Sequence, residues 1–323
     1  MSIDDFVDTL NEFGGHGVPF FCLIDFEMQK PVVIRLSEIR SDEVRYDFNG
    51  KANFPRKITS LNDLKLVKHP VDIKAYQRKY QQVHNALEYG DTYLANLTIK
   101  TPIECSLTLE ELFNASEAKY KLWYRNEFMA FSPEIFVQIA DGRICAYPMK
   151  GTIDASIAGA REKILADNKE TAEHVTIVDL IRNDLSLVAK NVRVSRFRYI
   201  DELQTNNKNL LQVSSEITGD LPLGHQGQIG TILVSLLPAG SVSGAPKRKT
   251  VAMIRKAEEE PRGYYTGIAG IFDGKDFDSG VMIRFIEQQD GKMFYRSGGG
   301  ITSHSIMEME YNEAIDKIYV PVN

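Results

Sequence analysis

The sequence has few cysteines and no long apolar run. Its three cysteines, Cys22, Cys105 and Cys145, are far apart and lack the spacing of a metal site, which favours a reducing compartment. The longest apolar stretches are too short to cross a bilayer. The N-terminal residues MSIDDFVDTL lack the apolar core of a signal peptide. We therefore expect a cytoplasmic protein that does not bind a membrane.

Positive charge is not in excess either. The 38 Lys and Arg residues stand against 44 Asp and Glu residues, so the formal net charge is -6. This balance does not favour a nucleic acid or an anionic membrane as partner. An anionic substrate would need a local cluster of cations or a metal ion. The chain of 323 residues, 43% of them hydrophobic, is long enough for a large core.

Helical and strand-like patterns alternate along the chain without an internal repeat. Apolar spacing and capping residues predict helices at 72–88, 106–116, 168–190, 228–238 and 305–319. Strands are predicted in TYLANLTI, WYRNEFMAF, EIFVQIA, ICAYPM, 264–285 and 292–301. The hairpin turns between strands favour an α+β fold of antiparallel-rich sheets covered by helices, and not a doubly wound parallel sheet. Pro70 separates an N-terminal portion, 1–70, from the main body, 71–323, and the two can share one core.

Two pairs of glutamates have helical spacing. Glu170 and Glu173 are three residues apart, as are Glu310 and Glu313, so each pair lies on one helix face. Lys317 follows Glu313 by one turn, which is also the pattern of an ordinary solvated helix. If the two pairs converge, they form a set of oxygen ligands of the kind that Mg²⁺ prefers. The spacing alone does not decide between these interpretations.

Two glycine-containing segments and one arginine are candidates for binding an anion. The loop from Gly240 to Lys247 and the triplet Gly298–Gly300 allow backbone N–H groups to approach a ligand closely, although each is also typical of a tight turn. Arg284 lies in the apolar segment GVMIRF. A cation there is either a paired structural charge or a clamp for a carboxylate.

Eight segments, in chain order, resemble the motifs of the chorismate-binding enzyme family. They are GDTYLANLT (90–98), SPEIF (132–136), YPMKGT (147–152), EHVTIVDLIRNDL (173–185), AGSVSGAPK (239–247), PRGYYTG (261–267), MIR (282–284) and GGGITSHSIMEMEYNEAIDK (298–317). Any one of them is a weak signal, but the ordered set is specific and covers roughly residues 71–320. The resemblance implies a large α/β sandwich and an enzyme that uses Mg²⁺ and chorismate.

The resemblance also implies roles for particular residues. Glu173 and Glu313 would be direct Mg²⁺ ligands, while Glu170 and Glu310 would bind the ion through water. Other residues would line the pocket for chorismate, with the first two holding a substrate carboxylate. They are Arg284, Tyr265, Ser243, Gly298, Gly299, Gly300, Thr152 and Lys247.

Lys150 is the position that separates the reactions of the family. Members that form anthranilate, isochorismate or salicylate have alanine there, whereas members that form 4-amino-4-deoxychorismate have lysine. The resemblance therefore implies that Lys150 is a covalent nucleophile and that Glu134, in SPEIF, is the general acid. From local sequence alone, Lys150 would be a surface lysine before a Gly-Thr turn, and Glu134 a turn carboxylate.

Two departures from the family pattern bear on the reaction. Leu94 stands where water-using members have a base lysine, and Gln212 aligns with a histidine that anthranilate-forming members need for pyruvate elimination. Leu94 argues against activation of water by that route, and Gln212 favours a reaction that stops at the amino intermediate, leading to 4-aminobenzoate and folate. No Cys-His amidotransferase signature is evident, so ammonia is expected from a glutamine amidotransferase subunit. The alternatives are an anthranilate-forming enzyme and a chorismate-binding scaffold without turnover.

Overall fold

The computed structural model describes residues 1–55, 64–203 and 209–321, and two large sheets dominate this part of the chain. Within it, sheet A and sheet B contain nine strands each. All the pairings between these strands are antiparallel. The α+β class predicted from the sequence is confirmed.

Sheet A runs in the order β11-β13-β10-β9-β16-β15-β1-β2, and β12 also pairs with β13. Its strands are β1 (Phe20–Ile24), β2 (Val32–Arg35), β9 (Ile135–Ala140), β10 (Arg143–Ala146), β11 (Met149–Asp154), β12 (Lys190–Leu203), β13 (Leu210–Asp220), β15 (Ile268–Phe272) and β16 (Phe277–Val281).

Sheet B runs in the order β14-β6-β18-β17-β8-β7-β3-β4, and β5 also pairs with β6. Its strands are β3 (Val44–Phe48), β4 (Lys51–Ala52), β5 (Leu66–Lys68), β6 (Leu94–Cys105), β7 (Tyr120–Tyr124), β8 (Phe128–Ser132), β14 (Gly244–Ala245), β17 (Phe285–Gln289) and β18 (Lys292–Ile301).

Helices cover the outer faces of both sheets. They are α1 (Ile3–Gly15), α2 (Ile73–Tyr89), α3 (Leu109–Ala115), α4 (Ala160–Ala166), α5 (Asn168–Leu185), α6 (Ile229–Leu236), α7 (Lys247–Glu258) and α8 (Met307–Asp316). None of the helices in the described ranges is both long and apolar enough to span a membrane.

The core lies in layers. Between the sheets, Phe21 and Ile271 of sheet A pack with Tyr46 and Leu122 of sheet B. Outside sheet A, a second core joins its strands to α1, α5 and α6, and outside sheet B two further clusters involve α2, α3, α7 and α8. Residues 1–70 contribute strands to both sheets, so the N-terminal portion shares the cores of the main body.

Several local predictions are confirmed and two are wrong. The helix at 72–88 is present because Asp72 caps its first backbone N–H groups and Gly90 ends it with a φ of 85°. WYRNEFMAF is not one strand. Arg125 and Asn126 take positive φ values and turn the chain between β7 and β8.

GVMIRF is not one strand either, because it crosses from one sheet to the other. β16 of sheet A ends at Val281, and β17 of sheet B begins at Phe285. Arg284 lies at the junction with a φ of 52°, a value incompatible with continuous extended backbone. The crossing takes Arg284 out of the strand in which it was predicted.

Candidate active site

A cavity of about 650 Å³ gathers nearly all the residues that the sequence predicted for the site. It is bordered by strands β6, β11 and β18 and by helices α5 and α8. The predicted residues in its wall are Glu134, Lys150, Thr152, Glu170, Glu173, Ser243, Tyr265, Arg284, Gly298, Gly299, Gly300, Glu310 and Glu313. Lys247 does not belong to this wall. The topology thus joins segments that are far apart in the sequence.

Lys150 points from β11 into the cavity. Its partner across the sheet is Val213, and the pairing shifts immediately afterwards, where Gly151 takes a φ of 75°. The Lys150 Nζ donates to Glu173 Oε2 at 3.1 Å, and the lysine side chain keeps 26% of its surface exposed. Burial lowers the pKa of this amine, but Glu173, Glu170 and Glu313 together outweigh burial and raise it above the usual value. The amine is therefore held as a cation among carboxylates.

The first glutamate pair lies near the start of α5. Asp167 caps this helix by accepting from the Glu170 backbone N–H at 2.9 Å. Glu173 is buried, and Glu170 lies beside Gly151, where a methyl group would approach its Oε2 to 3.2 Å. Burial, together with the neighbouring Glu173, raises the pKa of Glu170. The pair forms the acidic side of the cavity next to Lys150.

The second pair lies on α8 with a lysine of its own. Lys317 Nζ bonds Glu313 Oε1 at 2.7 Å and donates to the Gly298 carbonyl at 2.9 Å. Glu310 is buried, whereas the Glu313 side chain is 53% exposed. A methyl group on Gly299 would lie 3.7 Å from both Glu310 Oε2 and Glu313 Oε1, so glycine leaves this space open.

The donor chemistry of the two pairs fits Mg²⁺. Four carboxylates line the same cavity, and hard divalent cations prefer oxygen ligands. A compact ligand cluster is not assembled, since among residues 1–55, 64–203 and 209–321 no three Asp, Glu, His or Cys side chains are grouped closely enough to hold an ion. Ammonium groups of Lys150 and Lys317 bond Glu173 and Glu313 instead. Magnesium binding stays a prediction.

Glu134 lies in the cavity wall between β8 and β9. Its backbone N–H donates to Ser132 Oγ at 3.1 Å, and its carbonyl accepts from Val281 N–H at 3.1 Å, so the main chain is fixed on both sides. Its Oε1 accepts a hydrogen bond from Ser241 Oγ. Burial raises the pKa of Glu134 against the opposing effects of Ser241, Lys150 and Lys317. A carboxyl group with a raised pKa is suited to donate a proton.

Arg284 and Tyr265 lie on the side of the cavity that can bind an anion. The Arg284 guanidinium stacks over the Tyr319 ring, with Cζ 4.5 Å from the ring centroid. Its Nη1 is buried and has no hydrogen-bond partner among residues 1–55, 64–203 and 209–321. Tyr265 is almost fully buried, and burial raises the pKa of its hydroxyl. A substrate carboxylate would satisfy the guanidinium, which is the role predicted for Arg284.

The glycine triplet is part of a strand and not a tight turn. Gly298, Gly299 and Gly300 belong to β18 and pair with Thr98, Leu97 and Asn96 of β6. A methyl group on Gly300 would come within 3.2 Å of Lys150 Nζ and of Leu94 Cδ1. The absence of side chains keeps the cavity open along this strand.

Two residues of the predicted set have other partners. The Ser243 hydroxyl is fully buried and donates to the Ala239 carbonyl at 2.8 Å, so it secures its own loop. Lys247 Nζ bonds Asp184 Oδ2 at 2.8 Å and the Leu236 carbonyl at 2.9 Å. Thr152 is exposed at the rim of the cavity.

Sequence reasoning missed Ser241 as a site residue. In the loop AGSVSGAPK, Ser243 was the predicted site residue. In the structure, the Ser241 hydroxyl donates to Glu134, whereas the Ser243 hydroxyl donates to the backbone. Two serines separated by one residue give no local signal for which of them faces a cavity. Lys317 was noted only as an ordinary helical partner of Glu313, yet it too lines the cavity.

Comparison with known proteins identifies the class. A family model described as chorismate binding enzyme matches residues 20–323. This chain therefore belongs to the chorismate-binding enzyme family. That match confirms the resemblance to this family predicted from the eight sequence segments.

Particular relatives share different parts of the chain. A protein of Haemophilus influenzae, named as an uncharacterized PabA-like protein, is 48% identical over 99% of this chain and 98% of its own length. Aminodeoxychorismate synthase component 1 of Salmonella typhimurium is 30% identical over 75% of this chain and 56% of its own length.

The fold has a counterpart among solved structures. Anthranilate synthase component I from Streptococcus pneumoniae superimposes with a TM-score of 0.65 at 23% identity, covering 80% of this chain and 59% of that chain. At this identity the likeness shows the fold alone. The names of these proteins cover more than one reaction, so the choice of reaction depends on the site residues.

Proposed function

We propose that this chain converts chorismate and ammonia to 4-amino-4-deoxychorismate, which leads to 4-aminobenzoate and folate. Ammonia would be supplied by a glutamine amidotransferase partner. The observation that carries the proposal is the position of the Lys150 amine in the cavity wall that also contains Glu134 and Arg284. The named relative from Salmonella typhimurium supports the same reaction.

In the proposed first step, Lys150 loses its ammonium proton to solvent, and the neutral amine attacks the ring carbon next to the carboxylate-bearing carbon. A carbon–nitrogen bond forms, the ring double bonds shift, and the ring hydroxyl leaves with the proton of Glu134 as water. Arg284 would hold a substrate carboxylate during this step. The side chains thus fix the two ends of the displacement, the nucleophile and the leaving group.

In the second step, ammonia attacks the carbon that carried the hydroxyl. The double bonds return, the bond to Lys150 breaks, and the amine leaves as a neutral group. One proton from the ammonia nitrogen restores the Glu134 carboxyl group. The sum is chorismate plus ammonia giving 4-amino-4-deoxychorismate plus water.

Glu170, Glu173, Glu310 and Glu313 would hold the Mg²⁺ that this function implies. When bound, the ion would supply positive charge to a substrate carboxylate and would offset the carboxylates that keep the proton on Lys150. The donor set supports this assignment because all four carboxylates line one cavity.

Gln212 supports amination without pyruvate elimination. It lines the cavity at the position where the family resemblance expects histidine in anthranilate-forming members. A glutamine amide is not protonated near neutral pH and cannot serve as a base there, whereas an imidazole can. Pyruvate elimination therefore lacks the histidine that the resemblance ties to it.

The proposal is tested by incubating the protein with chorismate, Mg²⁺ and ammonium at high pH and then adding an aminodeoxychorismate lyase. We expect 4-aminobenzoate and no anthranilate. Anthranilate without 4-aminobenzoate would show that the assigned reaction is wrong. Chorismate binding without any turnover would instead favour a scaffold protein.

A further inference from the structure

Lys247 lies outside the main cavity, although the sequence predicted it as a substrate residue. Its ammonium group bonds Asp184 at the end of α5 and the Leu236 carbonyl at the end of α6. Both charged side chains are largely buried, 19% exposed for Lys247 and 15% for Asp184. Removing one partner of a buried ion pair leaves the other charge buried and unpaired, which is strongly destabilising, so the two side chains are held in this arrangement. The position of the Lys247–Asp184 pair in the fold indicates which segment it holds in place.

The pair lies directly behind the loop that carries Ser241. A methyl group on Gly240 would stand 3.0 Å from Asp184 Oδ2, so the carboxylate packs against the loop backbone. Lys247 begins α7, which follows the same loop. The loop is thus held at its start by Asp184 and at its end by Lys247.

Ser241 in turn contacts the candidate acid. Its hydroxyl donates to Glu134 Oε1, and the two residues line both the main cavity and a small neighbouring cavity of about 30 Å³. Asp184 lines the same small cavity. A continuous set of contacts therefore runs from Lys247 through Asp184 and Gly240 to Ser241 and Glu134.

We propose that Ser241 is a positioning residue that orients the Glu134 carboxyl group, and that the buried Lys247–Asp184 pair holds Ser241 in place. This inference rests on the proposed role of Glu134 as the acid. Because Ser241 occupies Oε1, Oε2 is the oxygen of Glu134 that would carry the proton to be donated. The ion pair acts through the loop and touches no substrate.

The charged groups that act on Glu134 are Lys150 and Lys317, and both, like Ser241, favour its ionised form. Removing the Ser241 hydroxyl should therefore raise the pKa of Glu134 further. A merely structural serine would change activity without moving that pKa.

The test uses Ser241→Ala, Ser241→Thr and Lys247→Met in the full chain, with Ser235→Ala as control. Ser235 is an exposed serine of α6 whose hydroxyl bonds the Thr231 carbonyl, away from the cavity. Chorismate consumption is followed whatever the product, and kcat and KM are determined across pH. We expect Ser241→Ala to lower kcat about 10- to 100-fold with KM nearly unchanged, and to move the alkaline limb to higher pH. Ser241→Thr should restore most of the activity.

The link to Lys247 is tested with the double variant. If both residues act on Glu134 through one contact, Ser241→Ala combined with Lys247→Met loses no more activity than Ser241→Ala alone. Losses that multiply would overturn the link. Asp184→Asn, which keeps an acceptor for Lys247, is the second variant if Lys247→Met fails to fold.

A readout without turnover separates this inference from the proposed function. In infrared difference spectra, the carboxyl band that disappears in Glu134→Gln should titrate at higher pH in Ser241→Ala than in the parent. An unchanged titration, or an unchanged kcat in Ser241→Ala, would refute the role of Ser241. Turnover to another product would refute only the proposed reaction.

Discussion

The cavity contains two lysine–glutamate pairs that are built in different ways. Lys317 and Glu313 are one helical turn apart on α8, and the glutamate side chain is 53% exposed. Lys150 and Glu173 are 23 residues apart, on β11 and α5, and the glutamate side chain is 9% exposed. Helix geometry alone brings the first pair together. The second exists only because the sheet and the helix pack face to face.

This difference separates two roles for the same chemical groups. Lys317 is tied to Glu313 and to the Gly298 carbonyl, which fixes it at the edge of the cavity. Lys150 is tied to Glu173 and lies 3.2 Å from the position of a methyl group on Gly300, at the open strand. We infer that Lys150 is placed for chemistry and Lys317 for binding and support.

The largest effect is expected from Lys150→Met, compared with Lys317→Met. Removing the proposed nucleophile should lower formation of the aminated product at least about 1000-fold, because the proposed covalent step depends on the Lys150 amine. Lys317→Met should mainly raise KM for chorismate. Equal losses of kcat in the two variants would remove the distinction between the pairs.

Glu134→Gln should lower kcat by roughly 100- to 10,000-fold, the usual contribution of a positioned general acid. The amide keeps the shape of the side chain and can accept the hydrogen bond from Ser241, but it has no acidic proton to transfer to the leaving group. Steady-state kinetics with saturating ammonium measures the effect. A variant within a factor of two of the parent would mean that another group protonates the leaving hydroxyl.

The pH dependence of activity should reflect the protonation of Glu134. Burial raises the pKa of Glu134, so the acid stays protonated to a higher pH than an ordinary glutamate. Activity that depends on this proton is present below that pKa and is lost as pH rises through it. In Glu134→Gln, the loss of activity at alkaline pH that is due to this group should be absent. A loss at the same pH in this variant would show that another residue titrates there.

Arg284→Lys should raise KM for chorismate roughly 10-fold or more, with a smaller change in kcat. Lysine keeps the charge but cannot form two parallel hydrogen bonds to a carboxylate. Arg284 Nη1 has no hydrogen-bond partner among the described residues, so the hydrogen bonds lost from this atom are those proposed with substrate. Initial-rate kinetics measures this change in KM. An unchanged KM would show that the substrate carboxylate binds elsewhere.

The smallest effect is expected for stability in Lys317→Met. An exposed ion pair one turn apart contributes about 0.5 kcal/mol, so the free energy of unfolding in urea should change by less than about 1 kcal/mol. A much larger loss would show that the bond to the Gly298 carbonyl supports the sheet.

The sequence predicted features that depend on neighbours along the chain. Asp72 and Gly90 bound α2 as expected, and the glutamate spacing placed each pair on one face. The predictions were wrong where contacts between residues far apart in the sequence determine the structure. The positive φ of Arg284 reflects the crossing between two sheets, and the partner of Lys247 lies 63 residues earlier. Neither helix α1 nor helix α7 was predicted.

The role of Lys150 could be predicted only through the family resemblance. A lysine before Gly151 has no local property that distinguishes it from a surface lysine. The structure adds that the pairing of β11 shifts at Gly151 and that the amine bonds Glu173 of the adjacent helix α5. These contacts are tertiary, so no periodicity in the sequence contains them.

The proposed mechanism requires that Lys150 forms a covalent bond to the substrate. The most direct measurement is mass spectrometry of the protein quenched after mixing with chorismate and Mg²⁺ in the absence of ammonia. We expect an added mass of chorismate less water on the peptide containing Lys150, and none in Lys150→Met. An adduct on another residue, or aminated product formed by Lys150→Met at the parent rate, would contradict the claim.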